Sequence, residues 1–111
     1  MDAARFQGLV DSGAISLDER DERHLTLIAG PDAAGPGESV ARYILEEHLA
    51  SASLNLRSGK SAARFLWYAY EESPDGRRGD TIGVYSTKDA ALCGVADHCL
   101  PTLMMLGLAD A

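Results

Sequence analysis

Cysteine is scarce in this chain, with only Cys93 and Cys99 among 111 residues. The two lie six positions apart in a stretch that reads as a helix, which sets them about 9 Å apart along the axis and about 120° apart around it. That geometry cannot close a disulfide. Two unpaired thiols favour a reducing compartment. The start, Met1-Asp2-Ala3-Ala4-Arg5-Phe6, has no basic stretch followed by an apolar one, so no secretory leader is expected and the expected location is cytoplasmic. Uninterrupted apolar runs of the ~18–20 residues that a membrane helix needs are also lacking. Internal repeats and low-complexity segments are absent. Basic residues are few, 10 against 17 acidic, for a net charge of −7. Such a chain is repelled by nucleic-acid backbones and anionic membranes unless its charge is segregated.

Apolar residues are plentiful, at 46% of the chain. This is enough for one packed core, so residues 1–111 are expected to form a single domain, with 1–23 as an N-terminal extension packed on it. The charge is partly segregated. Residues 57–78 carry five basic side chains (Arg57, Lys60, Arg64, Arg77 and Arg78) against three acidic ones, while each of the other stretches is net negative. Those five are the candidate anion contacts.

Residues 3–10 read as a short helix ending near Gly13. Ala14–Asp18 reads as a strand, 18–23 as a charged turn, and His24–Gly30 as a second strand that would pair with the first. Gly30-Pro-Asp-Ala-Ala-Gly-Pro-Gly37 is a loop. Over 39–56, Ala41, Ile44, Leu45, His48, Leu49, Ala52 and Leu56 recur at three- and four-residue spacing, which predicts a helix capped by Ser39. Glu38/Arg42 and Arg42/Glu46 would then be pairs on its wet side. Residues 63–71 are rich in aromatics and read as a strand. Ser73-Pro-Asp-Gly76 reads as a turn and 81–85 as the returning strand. Ser86-Thr-Lys-Asp89 resembles a capping box, with Asp in place of the usual Glu, opening a helix to about His98 or Cys99. Pro101 ends or kinks it, and 102–108 fits either a strand or a short helix. The order from His24 is β-α-β-β-α. The expected fold is therefore α+β and ferredoxin-like: a split β-α-β antiparallel sheet with two helices on one face and an N-terminal helix and strand added.

On the aromatic strand, Phe65, Trp67 and Ala69 point one way and Leu66, Tyr68 and Tyr70 the other. Both faces are apolar, although helices on one side require only one such face. Leu66, Tyr68, Tyr70 and Tyr85 are thus the expected interaction surface, since an uncovered apolar patch marks a binding site.

No catalytic set assembles from the pattern. The Gly30–Gly37 loop has part of a P-loop spacing, but Pro36 and Gly37 stand where Lys and Ser/Thr are needed. Gly59-Lys60-Ser61 lacks the first glycine of that motif. Cys93, Asp97, His98 and Cys99 do not offer four ligands at zinc geometry. The carboxylates Asp18, Glu19, Asp21 and Glu22 lack the glycine and spacing of an EF-hand. RNA-recognition modules also stack bases on sheet aromatics, but here their Gly-aromatic motif is missing and the charge is unfavourable. No metal or cofactor is expected. The reading is a non-catalytic protein-interaction module of the regulator, inhibitor or immunity-binder kind, homodimeric, with a partner of basic charge. The alternative is a small dimeric ferredoxin-like enzyme or ligand binder. It would have a pocket between sheet and helices, and its polar groups would be His48, Tyr68 and Tyr70.

Overall fold

A computed structural model describes residues 1–30 and 41–109. In chain order these form α1 (Ala3–Asp11), β1 (Ile15–Asp21), β2 (His24–Ala29), β3 (Ala41–Asn55), β4 (Lys60–Glu72), β5 (Arg78–Tyr85) and α2 (Lys88–Met105). The class is α+β. The five strands make one sheet in the order β1-β2-β3-β4-β5, every pair antiparallel. Neighbours in sequence are neighbours in the sheet, so no crossover occurs and the split β-α-β order is not built.

The difference lies in one segment. Residues 41–55, expected to be helical, are β3, the central strand. The helical stripe divides between two faces: Leu45 lies opposite Leu25 and Ala69, whereas Ile44 lies opposite Thr26 and Tyr70. Pairing on both edges supplies the backbone hydrogen bonds that a helix would have supplied internally. The predicted cap Ser39, the pair Glu38/Arg42 and the loop 31–37 fall outside the described residues. The expected pair Arg42/Glu46 is not formed: Arg42 meets Glu72 at 2.5 Å and Glu46 meets Arg78 at 2.9 Å.

Other expectations match in part: β1 runs on through Asp21, so only 22–23 remain of the charged turn expected at 18–23. β1 and β2 form the N-terminal hairpin. The β4–β5 turn closes with Gly76 N–H donating to Ser73 C=O at 2.9 Å, and Gly76 takes the positive φ of 80° that the turn requires. Asp2 caps α1 by accepting from the Arg5 N–H at 2.8 Å. Thr87 caps α2 by accepting from Ala90 N–H at 3.1 Å, one residue later than the box expected at Ser86. Pro101 lies inside α2, so the ambiguous segment is helical as far as Met105.

Both helices cover the same face. Phe6 and Leu9 of α1, with Leu92, Val95, Ala96, Cys99 and Leu103 of α2, pack on Ile15, Leu25, Leu27, Tyr43, Leu45, Trp67 and Ala69. Tyr85 belongs to this side, opposite Trp67, and is partly buried against the core. Its ring lies against two glycines. A Cβ on Gly94 would come 2.4 Å from the Tyr85 hydroxyl, and one on Gly83 would come 2.7 Å from the same atom. The glycine in mid-helix costs α2 about 1 kcal/mol relative to alanine, and the close approach of the ring requires it. Gly94→Ala is expected to lower stability by about 1–2 kcal/mol, the overpacking exceeding the gain in helix propensity. In a Tyr85→Ala background the same change should become neutral or stabilising. Urea unfolding of the four proteins of the double-mutant cycle measures this.

Candidate functional site

The opposite face of the sheet carries Ile28, Thr26, Ile44, Glu46, His48, Leu66, Tyr68, Tyr70 and Val84. The register aligns these side chains: Thr26, Ile44 and Tyr70 make one row, Glu46, Tyr68 and Val84 the next, and His48 and Leu66 a third. Leu66, Tyr68 and Tyr70 are half-buried, Val84 is 48% exposed, and none of them joins the core cluster. Among the described residues, no helix packs on this face. Tyr85, expected here, is on the helix side, because an odd number of positions separates it from Val84.

At the centre of the face is a buried carboxylate. Glu46 is only 6% exposed. The Arg78 guanidinium meets it at 2.9 Å and the His48 ring nitrogen at 2.7 Å. A buried carboxylate needs such partners to offset its lost hydration. Arg78 also lies over the Tyr70 ring, 5.6 Å from its centroid. The His48 ring is 5.7 Å from Tyr68 and 6.4 Å from His24. His24 in turn faces Asp21 at 3.2 Å. The Arg23 backbone N–H and then the His24 ring hold the Asp21 carboxyl below its usual range. Beside Arg78, the face opens into a cleft of about 420 Å³ lined by Arg20, His24, Thr26, Ile44, Glu46 and Glu72, among others.

Glu46 carries no flag in a helical reading, because i and i+2 point apart on a helix. In a strand they share a face. The Glu-x-His spacing at 46–48 was the available signal, and it becomes visible only once 41–55 is read as a strand.

The five candidate anion contacts do not converge. Arg77 closes the β4–β5 turn and Arg78 opens β5, at the Glu72 end of β4. Arg57, Lys60 and Arg64 lie at the other end, roughly 25–40 Å away at ~3.3 Å per strand residue. There β3 and β4 run past both of their neighbours. β2 pairs with β3 only as far as Glu46, and β5 pairs with β4 only from Trp67 onward. The remainder is a two-stranded arm, and the molecule measures 58 Å along its long axis. A register shift between Leu49 and Ser51 leaves Ala50 as an extra residue. The shift puts Ala52 and Leu54 on the same side as Leu49 and Phe65. Leu49, Leu54 and Phe65 are 54%, 60% and 41% exposed.

The groups weighed for metal binding are separated. The Met1 ammonium pairs with Asp97, His98 faces Glu71 at 3.4 Å and the Tyr43 ring at 5.8 Å, and Cys99 is buried and donates to Ala96 C=O. Among the described residues, no group of three or more His, Cys, Asp or Glu is placed to hold an ion. No described helix is long and apolar enough to cross a membrane.

Compared with protein-family models, curated proteins and solved structures, the chain finds no match in any of the three.

Proposed function

We propose that this chain is a non-catalytic protein-interaction module, homodimeric, which docks a protein partner on the open face of its sheet. A single observation carries the reading. Leu66, Tyr68 and Tyr70 form a contiguous half-buried patch on the face away from both helices, with Ile44 and Val84 beside them. Tyrosines contribute large rigid contact area while their hydroxyls stay solvated. Glu46, Arg78 and His48 add a fixed polar centre that would set register rather than affinity. The overall charge of −7 favours a partner of opposite sign. Regulator, inhibitor and immunity-type binder remain the classes that suit such a module.

Ligand binding is the second reading, and it draws on the cleft beside Arg78. It no longer draws on a space between sheet and helices, where Leu27, Leu45, Trp67, Val95 and Leu103 are packed.

Tyr68→Ala/Tyr70→Ala should stay folded, because neither ring belongs to the core, and should lose partner capture by at least about tenfold. Affinity capture with the wild type and the double variant, each checked by circular dichroism, measures the loss. Unchanged partners would refute the docking face.

A further inference from the structure

The arm differs in charge from the rest of the molecule. Residues 49–66 contain Arg57, Lys60 and Arg64 and no acidic side chain, whereas the whole chain is at −7, so the remainder stands at −10. An isolated two-stranded ribbon is marginal in water and needs a hydrophobic face packed on something. The helix-side face of this ribbon, Leu49, Phe65, Ala52, Ala63 and Leu54, continues the core face beyond the reach of the described helices.

The base of the arm is acidic. The β1–β2 turn sits beside it, with Glu47 N–H donating to Arg23 C=O at 2.9 Å and the Arg23 guanidinium 5.5 Å from the Phe65 ring centroid. Residues 18–23 together with Glu47 carry five acids and two arginines, and with Lys88, which pairs with Glu19 at 2.8 Å, the cluster is net −2. The arm therefore runs from a net negative base to a net positive tip over roughly 20 Å. Two such arms laid side by side in the same direction place tip on tip and base on base. Laid antiparallel, each tip meets the other base. That arrangement is self-complementary, as a two-fold interface must be.

We propose that the β3–β4 arm is the self-association element. Two copies lie with their arms antiparallel across a two-fold axis, their Leu49–Phe65–Leu54 faces together and each basic tip on the acidic base of the other copy. This rests on the homodimeric half of the function proposed above, and it assigns dimerisation to the arm while leaving the open face for a different protein.

Charge reversal at either end tests it, with the full chain followed by sedimentation equilibrium at low and high ionic strength. Arg57→Glu/Lys60→Glu makes the whole arm acidic, and Glu22→Lys/Glu47→Lys makes it basic. Each protein alone is expected to dimerise roughly 100-fold more weakly than wild type, and the wild-type dimer should weaken with salt. An equimolar mixture should recover a mixed dimer, because both of its tip–base contacts are then of opposite sign. Recovery on mixing also shows that each variant is folded. Leu54→Asp should abolish dimers in every combination. A mixture that fails to associate overturns the antiparallel arm. A wild-type dimer that ignores both reversals but is lost in Tyr68→Ala/Tyr70→Ala overturns the arm and leaves the homodimer standing on the open face. A wild-type chain that is monomeric throughout overturns both, and so does a monomer that binds DNA through the tip.

Discussion

Leu45→Ala is expected to remove about 3–5 kcal/mol of stability, while Leu54→Ala, nine residues along the same strand, should change that of the monomer, measured at concentrations where the dimer is dissociated, by less than about 0.5 kcal/mol. The two leucines differ in what surrounds them. Leu45 is fully buried at the centre of the sheet, between Leu25 on β2 and Ala69 on β4 and beneath the helices. Truncating it loses the transfer free energy and leaves a cavity. Leu54 is 60% exposed on the arm, where truncation leaves no void. A domain of this size has about 5–15 kcal/mol in total, so Leu45→Ala approaches the limit of folding. Urea unfolding followed by the single tryptophan, the buried Trp67, reads both variants. The comparison also tests the strand itself. A helix over 39–56 would place Leu45 and Leu49 on one stripe, whereas the sheet makes Leu45 critical and leaves Leu49 outside the core.

Alkaline pH should unfold the protein through two buried groups. Burial pushes the Tyr43 hydroxyl from 10.0 up to about 12, with the charges of Cys99 and Glu71 adding to the effect. Burial likewise pushes the Cys99 thiol from 9.0 up to about 11, and the Asp97 charge adds to it while a backbone hydrogen bond opposes it. Both groups are neutral when protonated, and both hold their proton more tightly in the folded chain than in the unfolded one. Their stabilisation is complete below the unfolded values and is lost as pH rises through the folded ones. The window runs from about 9 to about 12. Each shift corresponds to on the order of 2–3 kcal/mol. Unfolding free energies measured across this range should fall steeply. Cys99→Ala should remove the lower part of the slope and Tyr43→Phe the upper part. A flat profile in the wild type would contradict the burial of both groups.

What the sequence made legible was local. The turn at Ser73–Gly76, the β1–β2 hairpin and the onset of α2 each rest on residues whose own chemistry dictates the backbone. The alternation of Phe65, Trp67 and Ala69 with Leu66, Tyr68 and Tyr70 is also found in β4, whereas Tyr85, expected beside the second set, lies with the first. Over 41–56 the local signals conflict. Ala41, Leu45, Leu49 and Ala52 satisfy helical spacing. Tyr43, Leu45 and Leu49 also satisfy alternation, and 50–56 alternates small or apolar residues with Ser and Asn. Pairing with β2 and β4 decides between them, and those partners lie outside any local window. The rest of the site depended on this segment. With β3 read as a helix, Glu46 and His48 pointed apart. As a strand it joins the two, while the length of β4 alone separates Arg57, Lys60 and Arg64 from Arg77 and Arg78.

The meander has a consequence for synthesis. All five strands precede α2 in the chain, so the sheet can pair hairpin by hairpin as it emerges. Its inner face, with Leu25, Leu27, Leu45 and Trp67, is complete before the helix that covers most of it has been made. At about 5–20 residues per second, the twenty or so residues from the end of β5 to the end of α2 take roughly 1–4 s to add. During that interval the inner sheet face is covered by α1 alone, the outer face is open and the arm protrudes. This is the point at which a chaperone, or the arm of a second nascent chain, has most to cover.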